Sequence, residues 1–145
     1  MIDVREVMTP SRDLVTLPPG ATVAEAGRLM SDRNIRHIPV LDDEGRLVGI
    51  VSQRDVLAAT GPKSSRPVRR SGDRPLAEIM STPVMTVDPR VSVRRAGLRL
   101  RSLRVGCLAV MQDGNLEGLV TDADFLGVAI NLLEQLEETE PGDEF

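Results

Sequence analysis

The stretch GIVSQRD at 49–55 is written a second time, 69 residues on, as GLVTDAD at 118–124. A chain that repeats itself at a fixed offset folds as copies of one unit, and this constrains the architecture more than any single motif. Aligning GRLVGIVSQRD (45–55) with GNLEGLVTDAD (114–124) makes Gly45/Gly114, Leu47/Leu116, Gly49/Gly118, Val51/Val120 and Asp55/Asp124 identical. Five matches in eleven positions compare with about one from average composition. Upstream, MTPSRDLVTLPPGATV (8–23) aligns with MSTPVMTVDPRVSV (80–93) across a two-residue difference in a loop, and HIPVL (37–41) aligns with CLAVM (107–111). Each copy therefore runs for about fifty-five residues, over 4–59 and 76–130.

Each copy carries the same local signals. A short extended piece (14–17; 84–87) ends in proline and turn residues. A helix follows. Thr22 and Glu25 have the spacing of a capping box, ahead of an apolar stripe of Val23, Ala26, Leu29 and Met30. In copy two Ser92 is the cap, Val93, Ala96, Leu100 and Leu103 are expected to face inward, and Arg94, Arg95, Arg99 and Arg101 take other faces. Next comes a hairpin, 38–41 with 47–52 across DDEG, or 108–111 with 116–121 across QDGN, where Asp-Gly is a strong turn signal. A last helix begins near Asp55 or Asp124. In copy two its apolar residues Leu126, Ile130, Leu133 and Leu136 continue at helical spacing. The expected organisation is a first unit at 1–60, a basic proline-containing linker at 61–75, a second unit at 76–133 and an acidic tail at 134–145 that frays into solvent.

The 145 residues suffice for a core without covalent staples, and a single cysteine, Cys107, excludes an internal disulfide, as expected of a reducing cytoplasm. The start, MIDVREVM, lacks the pattern of a signal peptide, and no apolar run approaches a membrane span. The net charge of −4 and the lack of Trp and Tyr speak against a nucleic-acid binder. The arginines of 94–104 and the linker cations come without a helix-turn-helix or zinc spacing, so nucleic acid is not an expected partner. One histidine and one cysteine cannot build a closed Cys/His zinc site, and no nucleophile signature accompanies His37, so neither catalysis nor a metal is expected.

Ser52-x-x-Asp55 and Thr121-x-x-Asp124 sit where a strand hands over to a helix. The spacing is that of a helix cap, worth about 1 kcal/mol. The same geometry suits a ligand. A helix N-terminus favours a phosphate, a hydroxyl can donate to it, and a carboxylate one turn in can accept from both hydroxyls of a ribose. Gly49 and Gly118 allow a ligand or a neighbouring strand to approach the backbone.

The two copies resemble a tandem pair of CBS domains, the module named after cystathionine β-synthase. The resemblance is carried by VMTP (7–10), VTLPPGATVAEA (15–26), IRHIPVLDDEGRLVGIVSQRDVL (35–57), MTVDPRVSVRRAG (85–97) and GCLAVMQDGNLEGLVTDADFL (106–126), and leaves out only the linker and tail. It implies an α/β (α+β) fold of two βαββα units packed sheet to sheet as a pseudo-two-fold pair. It also implies an adenosine-containing ligand (AMP, ADP, ATP, S-adenosylmethionine, sometimes a dinucleotide) in clefts between the copies, with no further cofactor required.

By the same resemblance, Asp55 and Asp124 are the ribose-binding aspartates, with Ser52 and Thr121 beside them. Val15, Thr16, Met85 and Thr86 line the adenine slot, and Thr9 and Thr82 lie in the loop ahead of it. Arg36 and His37 match a basic pair that meets phosphates in some members, while copy two has Gly106 and Cys107 there. The reading is a free-standing cytoplasmic regulator that binds an adenine nucleotide, forms a homodimer and signals to an unidentified target protein. The alternative is a protein–protein interaction module with degenerate, ligand-free clefts.

Overall fold

The structure, a computed structural model, describes residues 2–61 and 71–138. The linker segment 62–70, with Lys63, Arg66, Arg69 and Arg70, and the tail segment 139–145 lie outside the described residues. In chain order the elements are β1 (Thr9–Pro10), α1 (Val23–Arg33), β2 (His37–Leu41), β3 (Leu47–Ser52) and α2 (Gln53–Thr60), then β4 (Thr86–Val87), α3 (Val93–Leu103), β5 (Cys107–Gln112), β6 (Asn115–Thr121) and α4 (Asp122–Glu137). Short 3-10 turns punctuate the connections. The fold is mixed α/β and repeats its pattern in the two copies.

Local chemistry explains most of these boundaries. Thr22 Oγ1 accepts from the N–H of Glu25 at 3.2 Å, and Ser92 Oγ accepts from that of Arg95 at 3.2 Å, so a hydroxyl opens each first helix. The reciprocal half of the expected Thr22–Glu25 box is absent among the described residues. Both helices close on a left-handed residue, Asn34 (φ 53°) and Arg104 (φ 56°). Asp113 (φ 52°) and Gly114 (φ 81°) together form the two-residue turn that Asp-Gly predicts. In copy one, Asp42 Oδ1 accepts from the N–H groups of Glu44 and Arg46, both at 2.9 Å, and Gly45 takes the positive φ.

Each hairpin acquires two short edges. The copy-two sheet runs β1-β6-β5-β4, with Thr86 of β4 parallel to Ala109 and Thr9 of β1 antiparallel to Leu119. The β2–β3 hairpin has the same neighbours as single bridges, Leu17 parallel to Val40 and Ser81 antiparallel to Ile50. The parallel edge comes from the hairpin's own copy. The antiparallel edge comes from the leading segment of the other copy.

The compact units follow this exchange. One comprises residues 2–12, 86–112 and 117–138; the other comprises 13–61, 71–85 and 113–116. In the first, the N–H of Val93 donates to the carbonyl of Ile2 at 2.9 Å and that of Val4 to Val91 at 3.0 Å. In the second, the N–H of Val23 donates to Arg74 at 2.9 Å and that of Leu76 to Ala21 at 2.8 Å. Val4 and Leu76, fully buried, anchor the two leading segments apart from any hydrogen bond. The core of the second unit gathers Val23, Ala26, Met30, Ile38, Val40 and Val51 around Leu76.

Two expectations about copy two are corrected. Leu103 is exposed: it is the last residue of α3, and the buried stripe of Val93, Ala96 and Leu100 ends one turn earlier. The chain from Glu134 does not fray at once: α4 carries Glu134 and Glu137 as helix through Glu137.

Candidate functional site

In the unit of copy one, β3 ends at Ser52 and α2 starts at the next residue. The N–H of Asp55 donates to Ser52 Oγ at 3.1 Å, and the N–H of Ser52 donates to Asp55 Oδ2 at 2.8 Å. The box is therefore closed in both directions. The register sets His37, the first residue of β2, directly opposite Ser52. Arg36 precedes it, and its carbonyl accepts from the N–H of Gln53 at 2.8 Å, which ties the approach of β2 to the first turn of α2. Ser52, Asp55, Arg36 and His37 are thus brought to one end of the hairpin. Val15 and Thr16 lead into Leu17 at the parallel edge, beside β2. Thr82 lies just past Ser81 at the opposite edge, beside β3, with a cis peptide bond between Thr82 and Pro83.

The unit of copy two repeats the junction with a variation. The N–H of Thr121 donates to Asp124 Oδ2 at 2.8 Å, and the Thr121 hydroxyl donates to the same oxygen at 3.3 Å. The N–H of Asp122 donates to the carbonyl of Gly106 at 3.1 Å, the counterpart of the Gln53–Arg36 bond. Burial pushes the Asp124 carboxyl above its ordinary value of 3.8, against the lowering effect of both Thr121 bonds, and Asp122 adds to the rise. Cys107, where copy one has His37, is buried, and its thiol is pushed up to about 12 by desolvation and then by Asp122. A thiol in that state is a packing group rather than a nucleophile.

The registers correct one pairing. Thr9 faces Leu119 and Ser81 faces Ile50, and Ile50 and Leu119 are equivalent residues. Ser81, which the sequence reading passed over, is the structural counterpart of Thr9; Thr82 stands one residue further on. The extra residue in MSTP relative to MTP is the signal that could have revealed this. Met85 and Thr86, expected to line the adenine slot, fall in different compact units, and Thr86 is the first residue of β4. Gly49 and Gly118 are needed for chain approach. A Cβ on Gly118 would lie 2.5 Å from the carbonyl oxygen of Thr9 and 2.8 Å from Met8 Sδ, and one on Gly49 would collide with the Met80 side chain.

Arg36 also lines an open cavity of about 420 Å³ between α1 and α2, with Met30, Asn34, Gln53, Val56 and Leu57 among its other walls. Ser52 and Asp55 do not line it. Copy two shows why space remains there: Phe125 packs against Gly97, with its Cε1 3.1 Å from where a Cβ would stand, whereas the smaller Val56 meets Gly27. Among the described residues no cluster of three or more His, Cys, Asp or Glu could hold a metal ion, and no helix is long and apolar enough to cross a membrane.

The sequence profile of the CBS domain matches residues 4–61 and 76–131. The chain belongs to the CBS-domain family, as a tandem pair. It is 34% identical over 131 residues to an uncharacterized 33.4 kDa protein in the ribosomal RNA operon of Thermofilum pendens, a match covering 86% of this chain and 43% of that protein. The chain thus spans less than half the length of that relative. Among solved structures, it resembles a Vibrio cholerae protein provisionally assigned to acetoin utilization (AcuB), at 40% identity and TM-score 0.80 over 97% of this chain and 99% of the other. It also resembles CBSX2, solved in complex with AMP, at 25% identity and TM-score 0.78 over 92% and 99% of the two chains.

Proposed function

We propose that this tandem CBS protein is a regulatory sensor that binds an adenosine-containing ligand through the two hydroxyl-x-x-aspartate junctions and passes its presence to a protein partner. One observation carries the reading. Each carboxylate commits only Oδ2 to its own helix cap, and among the described residues Oδ1 of Asp55 and of Asp124 accepts no hydrogen bond. A half-buried carboxylate with one oxygen anchored and one open is a pre-oriented acceptor for the vicinal hydroxyls of a ribose. The AMP complex of CBSX2 supports an adenine nucleotide as the ligand class. His37, opposite Ser52, and Arg36 would favour a phosphorylated ligand at the first junction. Gly106 and Cys107 offer no charge at the second. The reading assigns no chemical step to the chain and no cofactor beyond the ligand. Its one cysteine, buried and inert, suits a cytoplasmic protein.

Calorimetric titration of AMP into the wild type, Asp55→Asn and Asp124→Asn tests it. Asparagine retains an acceptor for the cap but loses the charge. A charge-assisted bond is worth roughly 1.5–3 kcal/mol, so each variant should lose about tenfold to a hundredfold in affinity at its own junction. If neither variant changes affinity, the aspartates serve only as caps. If AMP, ATP and S-adenosylmethionine all fail to bind the wild type, the chain is instead a ligand-free interaction module.

A further inference from the structure

The first helices of the two copies share their inner face and differ on the outer one. Val23, Ala26 and Met30 of α1 are buried, as are Val93, Ala96 and Leu100 at the equivalent places in α3. On the outside, α1 balances Arg28 and Arg33 with Glu25 and Asp32. Helix α3 carries Arg94, Arg95, Arg99 and Arg101, all exposed, and no acidic residue, and Arg104 follows as its cap. Among the described residues none of these five arginines has an ion-pair partner.

Local stability argues against these arginines. Arg94 and Arg95 sit in the first turn, at the positive end of the helix dipole, where α1 has Glu25. Arg95 and Arg99 are like charges one turn apart, and so are Arg101 and Arg104. Arg99 stands where copy one has Leu29, which packs against the core of its unit. Arg104 holds the left-handed conformation (φ 56°) that suits its counterpart Asn34 better. A helix that departs from its own repeat at all these places, always toward positive charge, is shaped to meet something negative.

The apolar residue among the cations narrows what that is. On a helix surface the neighbours of a residue lie three and four positions away, and for Leu98 these are Arg94, Arg95, Arg101 and Ser102. Leu98 is 41% exposed, an apolar spot ringed by guanidinium groups. A lipid surface does not fit, because the apolar face that would enter it is buried in the chain's own core. A nucleic-acid backbone would leave Leu98 in water, and the net charge of −4 opposes a long polyanion. An acidic peptide with apolar side chains on its contact face suits both features. Its carboxylates match the planar fork of arginine, and its apolar groups cover the leucine.

We propose that the outer face of α3 docks an acidic amphipathic segment of a partner protein, with an apolar side chain of that segment on Leu98 and its carboxylates on Arg94, Arg95 and Arg101. This surface rests on the regulatory reading above for its role, since it supplies the contact through which a partner would be told of the ligand. It binds with no nucleotide present, so the two fail separately.

Fluorescence polarisation of a labelled helical peptide of glutamate and leucine, titrated with the nucleotide-free full chain, tests this. The wild type should bind, and raising sodium chloride from about 50 to about 300 mM should weaken binding about tenfold, as screening of exposed charges requires. The same peptide with lysine for glutamate should not bind. Arg94→Glu with Arg95→Glu should weaken binding at least about a hundredfold. The urea midpoint of that variant should be no lower than the wild type's, because it puts acidic residues in the first turn of α3. Leu98→Ser should weaken binding about tenfold and leave its salt dependence unchanged. Arg28→Glu with Arg33→Glu, on α1, should change nothing. A wild type that ignores the glutamate peptide would overturn the proposal, as would an equal loss in the α1 variant. Duplex DNA or phosphatidylserine vesicles that bind more tightly than the peptide, and lose that binding in the α3 variant, would overturn it in favour of nucleic acid or lipid.

Discussion

Ser52 and Asp55 hold each other twice, the N–H of each donating to the side chain of the other, at 2.8 and 3.1 Å. One pair thus closes the first turn of α2 and fixes the carboxylate that faces outward. Cap and candidate ligand group are one object, and a substitution must separate them. Asp55→Ala should lower stability by about 1 kcal/mol through loss of the cap, while Asp55→Asn should cost less than half of that. Urea unfolding of the two ligand-free variants measures the difference, and equal losses would mean that charge rather than capping geometry holds the turn.

The raised carboxyl of Asp124 gives a pH dependence of definite sign. Burial favours its protonated form in the fold, so between 3.8 and the raised value the folded chain holds more proton than the unfolded one. Its contribution to stability is therefore present below 3.8 and is lost as pH rises through the folded value. Asp124→Asn should make the ligand-free protein more stable at neutral pH, and the gain should vanish below 3.8. Urea midpoints for wild type and variant across that range check this. A gain that persists in acid would trace to packing instead.

The two close-approach glycines should differ in cost. At Gly118 a methyl group meets the backbone oxygen of Thr9, which cannot move without breaking the β1–β6 pairing. At Gly49 it meets the flexible Met80 side chain. Gly118→Ala should therefore destabilise by roughly 2–3 kcal/mol and Gly49→Ala by about 1 kcal/mol, in the range for overpacking. Thermal or urea unfolding ranks them, and the reverse order would mean that β1 yields more readily than Met80.

The cavity beside Arg36 predicts the effect of borrowing from the other copy. Val56→Phe places in copy one the ring that copy two already packs on Gly97. It should be neutral or stabilising by about 1 kcal/mol, against the usual cost of a larger core residue. Phe125→Val should cost roughly 2 kcal/mol by opening the matching space. Destabilisation by Val56→Phe would show that the α1–α2 groove cannot admit a ring edge-on.

The repeat made most of the local structure legible before any coordinates. Turn chemistry placed both hairpins, Thr22 and Ser92 placed the first helices, and the doubled hydroxyl-x-x-aspartate spacing placed the starts of the last helices within two residues of where they fall. Those features depend on contacts three or four positions apart. What escaped was non-local. Nothing around Thr9 indicates that it will pair with Leu119, and the one-residue offset that makes Ser81 its counterpart is visible only through the register with Ile50. Leu103 has the periodicity of a core residue, but it closes its helix and stays exposed while Leu100 is buried. Arg36 and His37 are adjacent in sequence, yet only His37 enters the strand, and the cavity beside Arg36 reflects the difference between Val56 and Phe125.

Thr9 and its ladder partner Leu119 are 110 positions apart in the chain, whereas Ser81 and Ile50 are 31 apart. During synthesis, therefore, nearly all of the unit around copy one can close once residue 85 has emerged, while residues 2–12 emerge ahead of their partners and wait for the final hairpin. The exchange of leading segments turns the chain into a clasp in which an early-made part is fastened late. Cleavage after residue 12 would injure the second copy and spare the first, which follows the cut in sequence.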